Sequence, residues 1–71
     1  MKLSQGKVQR ARYRLGLSLE DVAKVCGISK NTVGRAEHEE EIRTLSARKI
    51  AGALKVEVAD LIKEEAYVEA D

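Results

Sequence analysis

The chain has 71 residues, of which 35% are charged and 3% aromatic, with no Pro and a formal net charge of +1. This length suits one small domain, and a core of Val, Leu, Ile and Ala favours closely packed short helices. No apolar run approaches the roughly 18 residues that span a bilayer, and the N-terminus lacks the apolar stretch of a signal peptide. The single cysteine, Cys26, forms no internal disulfide, so we expect a cytoplasmic protein.

A first helix is predicted from about Leu3 to Leu15. Val8, Ala11 and Leu15 recur at the spacing of one helix face, which indicates an apolar stripe directed at a core. Gly16 follows and is expected to end the helix, because glycine tolerates the left-handed backbone of a C-terminal cap.

A second helix is expected to start after Ser18. Serine is a good N-cap, and Asp21 stands three residues later, where its carboxylate can reach back to the cap. The expected buried stripe of this helix consists of Val22, Ala23 and Cys26.

The next turn is very short. Only Ile28 separates Gly27, which is expected to end the second helix, from Ser29, which is expected to cap a third helix from about Lys30 to Glu37 or His38. Two short helices joined so tightly must cross at a steep angle, which predicts a helix-turn-helix.

The remainder predicts a charged loop and two more helices. The loop runs from Glu39 to Arg43, and Thr44 is expected to cap a fourth helix. The stripe of that helix is Ala47, Ile50, Ala51 and Leu54. Val58, Leu61 and Ile62 suggest a short fifth helix. We therefore predict an all-α fold, a compact bundle of five short helices over residues 1–65, with a C-terminal tail over residues 66–71.

Charge is distributed unevenly along the chain. Residues 1–38 hold eight Lys and Arg against three Asp and Glu, net +5, whereas residues 39–71 hold five against nine, net −4. Such a split favours one face that meets a polyanion. A chance distribution of solvated charges is the alternative.

Residues 18–37, SLEDVAKVCGISKNTVGRAE, resemble the helix-turn-helix of the Cro/C1-type (xenobiotic-response-element) family. The matching positions are Ala23, Gly27, Ser29, Val33 and Glu37, with Gly16, Leu17 and Ser18 ahead of them. Residues 47–56, ARKIAGALKV, are similar to the fourth helix of the family and the turn after it. The resemblance covers roughly residues 5–64. It implies a compact five-helix, phage-repressor-like domain whose third helix enters the major groove of DNA. We therefore expect a transcriptional regulator that acts as a repressor.

The outer face of the third helix carries groups suited to base edges. Asn pairs with adenine and Arg with guanine through two hydrogen bonds each, so we expect Asn31 and Arg35 to read bases. Lys30 is expected to contact a guanine or a phosphate, and Thr32 a thymine methyl or a phosphate. Gly34 costs helix stability, which close approach of DNA to the backbone would explain. The alternatives are an ordinary solvated face and a glycine that relieves packing.

Two charged residues fall on buried faces. Arg12 lies on the inner face of the first helix and Glu37 on that of the third. Because a lone buried charge costs several kcal/mol, about 3–5 when a partner is removed, we expect them to form a structural ion pair, which the resemblance also implies. The alternative is that both point outward.

Further basic residues are expected to contact phosphates. On the first helix Lys7, Arg10 and Arg14 form a stripe beside the buried face. Arg43 stands where free backbone N–H groups of the fourth helix favour anions. The predicted phosphate contacts are Lys7, Arg10, Arg14, Ser29, Arg43 and Arg48. A simple solvated stripe is the alternative for the lysines and arginines.

Two positions depart from the family pattern. Leu19 stands where many members have a Gln that touches a phosphate, and Glu39–Glu41 stand where members often have Gly with basic or Pro residues. Three carboxylates near DNA repel it. Either this loop bends away from DNA, or DNA affinity is modest and regulated, or the fold serves another purpose. His38 could become a pH-sensitive contact among these acids, although a surface histidine usually has no such role.

The sequence offers no set of catalytic residues, so we expect no enzyme, cofactor or metal site. Cys26 and His38 alone do not make a zinc site. The expected partners are double-stranded DNA and a second copy of the chain, because one helix reads few base pairs. Apolar residues for a homodimer surface are Val56, Val58, Leu61, Ile62, Tyr67 and Val68, unless they close the core. The rival hypothesis is a protein-interaction module on the same fold.

Overall fold

The computed structural model describes residues 1–63, which form four α-helices followed by one short turn of 3-10 helix. The elements are α1 (Gln5–Leu15), α2 (Leu19–Cys26), α3 (Lys30–Glu37), α4 (Thr44–Leu54) and the 3-10 turn Val58–Asp60. The described residues contain no β-strand, and their only strand-like pairing is an isolated antiparallel bridge between Leu3 and Ile62. The predicted all-α fold is confirmed. The predicted tail, residues 66–71, lies outside the described residues.

The predicted short fifth helix is present only as the 3-10 turn Val58–Asp60. The Asp60 carboxylate accepts a hydrogen bond from the Glu57 N–H at 2.9 Å at its start. The carbonyl of Leu61 then accepts a hydrogen bond of 2.7 Å from the Ser4 N–H.

Local capping residues determine the ends of α1 and α2. Ser4 caps α1, so this helix starts two residues later than expected. Gly16 ends α1 with φ 70° in the left-handed region. The predicted capping box of α2 is present, with Ser18 and Asp21 each accepting a hydrogen bond from the other's backbone N–H at 3.1 and 3.0 Å.

The N-cap of α4 is Arg43 and not Thr44. Arg43 has an extended backbone, and its carbonyl accepts the first helical hydrogen bond from Ala47 at 3.0 Å. Thr44 is therefore the first helical residue, and no side chain caps this helix. Its backbone N–H groups are left without a side-chain acceptor at this end.

All four helices contribute to one core. Its buried apolar residues are Leu3, Val8, Ala11, Val22, Ala23, Val33, Ala36, Ile42, Ala47, Ile50, Ala51, Leu54 and Leu61. Two expectations need correction. Leu15 is 37% exposed and is not part of the buried cluster. Cys26 is only half-buried, and its thiol donates to the Val22 carbonyl at 2.9 Å.

Three of the six residues predicted at a dimer surface lie in this core or pack against it. Leu61 is 1% exposed, while Val56 and Val58 are half-buried and pack against the same cluster. Ile62 is also half-buried. Tyr67 and Val68 lie outside the described residues. Leu61 therefore closes the core and Val56 and Val58 pack against it, while a homodimer surface stays a prediction.

An extended N-terminal segment lies between two other parts of the chain. The Met1 carbonyl accepts a hydrogen bond from Ile42 N–H at 2.9 Å, and the Lys2 carbonyl accepts one from Lys63 N–H at 3.1 Å. The first residues thus connect the loop before α4 to the end of the described chain.

Within residues 1–63, no helix is long and apolar enough to cross a membrane. No group of three His, Cys, Asp or Glu side chains in this part of the chain is placed to hold a metal ion. Every buried side-chain nitrogen and oxygen described has a hydrogen-bond partner.

Candidate nucleic-acid interface

A short turn sets where α3 begins. Gly27 takes φ 72°, and its N–H donates to the Ala23 carbonyl at 2.9 Å. Two residues later, the Ser29 hydroxyl accepts from the Thr32 N–H at 3.1 Å and lies 2.9 Å from the Thr32 hydroxyl. All of these bonds are local, so the sequence of the turn is enough to start the helix at Lys30.

The two faces of α3 differ as predicted. Val33, Ala36 and Glu37 are buried. The exposed residues are Lys30, Asn31, Arg35 and His38, and Thr32 and Gly34 are half-buried.

Two shallow grooves flank the exposed face of α3. The reading groove is lined by Leu19, Lys30, Asn31, Gly34, Arg35 and His38. The loop groove is lined by Thr32, Arg35, Glu41, Ile42, Arg43 and Ser46. Arg35 lines both, and four of the five predicted base readers share the reading groove, with Thr32 on the other side.

Gly34 has open space around it. A Cβ added there would meet no atom within 4 Å. No atom of the described residues would be crowded by a side chain at this position, so the interpretation that Gly34 relieves packing is wrong. The bare backbone leaves room on the reading groove for another molecule.

Arg12 and Glu37 form a two-point ion pair inside the fold. Arg12 Nε and Nη2 donate to the two Glu37 carboxylate oxygens, each at 3.0 Å. The residues are 9% and 7% exposed. Arg12 Nη1 also donates to the Leu17 carbonyl at 3.1 Å, and the guanidinium lies 4.9 Å from the centre of the Tyr13 ring. The pair fixes the last residue of α3 against α1.

The loop after α3 starts with a Schellman motif, in which a residue of left-handed backbone ends the helix. Glu39 takes this place with φ 61°. Its N–H donates to the Ala36 carbonyl at 3.1 Å, and Glu40 N–H donates to the Arg35 carbonyl at 3.0 Å. Glycine usually occupies the left-handed position, because a Cβ there is crowded. This chain uses a glutamate.

The same loop holds the Arg35 side chain. Glu40 Oε1 lies 3.4 Å from Arg35 Nε, and Arg35 Nη2 donates to the Glu41 carbonyl at 3.2 Å. These contacts were not predicted from the sequence. The sequence signal that was available is the five-residue separation of Arg35 and Glu40. In a Schellman motif, the residue that follows the left-handed one lies next to the third residue from the end of the helix.

The other two loop carboxylates are engaged elsewhere. Glu39 accepts hydrogen bonds from Lys63 Nζ at 2.6 Å and from Gln5 N–H at 2.9 Å. These two bonds, with that of Lys63 the larger cause, hold the pKa of Glu39 below its usual value of 4.5. Glu41 pairs with the amino group of Met1. Glu39 and Glu41 thus contact the chain's first segment, and Glu40 contacts Arg35.

The predicted phosphate contacts fall into two groups. Ser29 caps α3, and Arg43 lines the loop groove, so both lie beside the exposed face of α3. The stripe of α1 lines a third groove with Val56, Asp60 and Leu61, and no residue of that groove lines the other two. The stripe consists of Lys7, Arg10 and Arg14. Lys7 Nζ donates to the Ile62 carbonyl at 3.3 Å. Arg48 is exposed on α4 and lines neither groove beside α3.

Comparison with known proteins finds a family model, a curated relative and a solved structure that are similar to this chain. A helix-turn-helix family model matches residues 8–61. A protein of Archaeoglobus fulgidus, named as an HTH-type transcriptional regulatory protein, is 36% identical over 74 aligned positions, which cover all of this chain and 23% of that relative. The chain therefore spans about a quarter of the length of that protein. The restriction-modification controller protein C.AhdI from Aeromonas hydrophila superposes with a TM-score of 0.71 at 26% identity, covering 79% of this chain and 86% of the other.

Proposed function

The chain belongs to the helix-turn-helix family, and from that premise we propose that it binds double-stranded DNA sequence-specifically, with α3 in the major groove. The observation that carries this proposal is the reading groove, which presents an amine, an amide, a guanidinium and a bare glycine backbone side by side. These are the donor and acceptor types that distinguish base pairs in the major groove.

Two residues supply most of the base discrimination. Asn31 pairs with an adenine through its N6 and N7, and Arg35 pairs with a guanine through its O6 and N7. Lys30 at the helix start contacts a guanine or a phosphate, and Thr32 contacts a thymine methyl or a phosphate. Gly34 lets the backbone come close to a base edge, which its open surroundings support.

Phosphate contacts fix the helix in the groove without reading sequence. Ser29 and Arg43 adjoin the reading face and are the principal contacts. Lys7, Arg10, Arg14 and Arg48 are outer contacts. Each phosphate neutralised adds about 0.9 to the slope of log affinity against log salt concentration.

The biological role that follows is transcription regulation, in the form of a repressor that acts as a homodimer. One α3 helix spans only a few base pairs, so a two-fold operator needs two domains at a spacing of about one DNA turn. Leu61 is buried in the core, whereas Val56 and Val58 are only half-buried and keep part of their surface available for pairing.

The first experiment selects binding sites from a random duplex pool and measures binding to the selected DNA at about 100 mM salt. We expect a two-fold motif. Arg35→Ala and Asn31→Ala should each reduce discrimination at one base pair by about 10- to 100-fold, the range for one bidentate contact. Lys49→Ala is the matched control, because it removes one exposed charge from α4 outside both grooves.

Two outcomes would contradict the proposal. A uniform loss of affinity across all sequences would remove the substituted residue from the base readers. Absence of any enriched motif would favour the rival function, a protein-interaction module on the same fold.

A further inference from the structure

We propose that Glu40 is a positioning residue, which holds the Arg35 guanidinium so that its outer edge faces a guanine. This inference rests on the proposed function and adds a specificity determinant from outside α3. It concerns the one loop carboxylate that contacts a predicted base reader.

The backbone sets the distance between the two residues. Glu40 N–H donates to the Arg35 carbonyl at 3.0 Å, which closes the Schellman motif at the end of α3. In most such motifs the two side chains at these positions make an apolar contact. Here the same geometry brings a carboxylate to a guanidinium, at 3.4 Å between Glu40 Oε1 and Arg35 Nε.

The loop occupies one edge of the guanidinium and leaves the other available. Arginine has five N–H donors in a fixed plane. Glu40 lies at Nε, and the Glu41 carbonyl accepts from Nη2. Both atoms belong to the same side edge of the group. The outer edge, formed by Nη1 and the second hydrogen of Nη2, takes part in neither contact and has the spacing to donate to O6 and N7 of guanine.

We expect the contact with Glu40 to orient the Arg35 side chain and to add little to the stability of the fold. The side chains of Arg35 and Glu40 are 56% and 55% exposed, and exposed ion pairs add little to folding. Holding a long side chain in its bound rotamer instead removes part of the entropy that binding would otherwise cost. Only a guanine that accepts from the outer edge benefits, so the effect appears in base preference.

The test compares Glu40→Ala with Glu41→Ala. Each removes one carboxylate from the same loop, but the Glu41 contact with Arg35 uses its backbone carbonyl, which alanine retains. Binding is measured on the selected operator and on three duplexes that replace the guanine read by Arg35, identified by the loss of preference in Arg35→Ala.

We expect both variants to bind every duplex more tightly, because each removes one negative charge near DNA. Only Glu40→Ala should lower the preference for guanine at that position, by about threefold to tenfold, the range for ordering one long side chain. Glu40→Gln, which keeps an acceptor oxygen, should retain part of the preference. Thermal unfolding of each variant is measured to check that the fold is intact.

Three results would overturn the inference. If Glu40→Ala keeps the guanine preference within about twofold, or changes it as Glu41→Ala does, Glu40 does not position Arg35. If Glu40→Ala increases the preference, Glu40 competes with DNA for Arg35. If Arg35→Ala leaves every base preference unchanged, the assignment of Arg35 in the proposed function fails, and the inference fails with it.

Discussion

The two turns that bound α3 each contain one residue with a positive φ, but the residue types differ. Gly27 before the helix has φ 72°, and Glu39 after it has φ 61°. Glycine reaches this region without steric cost, whereas an L-residue with a side chain pays roughly 1–2 kcal/mol. The first turn therefore adopts its conformation readily, and the second needs compensation.

That compensation comes from distant parts of the chain. Glu39 bonds to Gln5, 34 residues away, and to Lys63, 24 residues away. The bonds of the first turn instead join residues at most five apart, such as Ile28 N–H to the Ala23 carbonyl. The first turn is thus held by local bonds alone, whereas the second adds bonds to distant parts of the chain to its local Schellman bonds. Three predictions follow from this difference.

The largest effect is expected from Glu37→Ala. Glu37 precedes the second turn and partners Arg12 with little solvent access, so its loss leaves a buried guanidinium without its carboxylate. The free energy of unfolding, measured by urea denaturation, should fall by about 3–5 kcal/mol. Arg14→Ala, at an exposed position on α1, is the control and should change it by less than about 0.5 kcal/mol. If Glu37→Ala lowers the free energy of unfolding by less than about 0.5 kcal/mol, the ion pair contributes little to stability.

A smaller effect on stability is expected at Gly27 and Glu39, the two residues beside α3 that have a left-handed backbone. Gly27→Ala should cost about 1–2 kcal/mol of unfolding free energy through its backbone alone, since a Cβ there meets no atom within 4 Å. At the other turn, Glu39→Gly should be more stable than Glu39→Ala by a similar amount. Both Glu39 variants lack the carboxylate, so their difference isolates the backbone. Equal stability of the two would show that the left-handed glutamate is not strained.

The smallest effect concerns pH. The pKa of Glu39 lies below its usual value of 4.5 because Lys63 and the Gln5 N–H donate to the carboxylate. Its stabilising contribution is therefore complete above about pH 4.5 and declines as the pH falls toward the folded pKa. Glu39→Gln should lose stability near neutral pH and show a shallower decline below pH 4.5, measured by thermal unfolding. An unchanged acid slope would contradict this assignment. Asp21 also has a lowered pKa, mainly because the Ser18 backbone N–H donates to its carboxylate. Asp21 is present in both the parent chain and Glu39→Gln, so part of the decline in stability at acid pH remains in the variant.

The same contrast explains what the sequence could predict. Ser18, Gly16 and Gly27 act on bonds within a few residues, so capping rules located α2, the end of α1 and the tight turn. The bridge between Leu3 and Ile62 joins residues far apart in the sequence, so no local pattern predicts it. The faces of α3 followed from helical periodicity alone.

The candidate site was predictable in composition but not in arrangement. Periodicity placed Asn31 and Arg35 on the outer face, and the cost of lone buried charges suggested that Arg12 and Glu37 pair. The contact of Glu40 with Arg35 required knowing that Glu39 takes a left-handed backbone, which is uncommon for residues with a side chain. The separation of the α1 stripe from the reading groove required the three-dimensional packing of the helices.

The bridge between Leu3 and Ile62 also has a consequence for protein evolution. It brings the entry and exit of the helical unit to adjacent positions. A unit with neighbouring ends can be inserted into a loop of a host protein, or joined head to tail by gene fusion, without its fold being stretched. Recombination could therefore transfer these helices between larger polypeptides as a single modular piece.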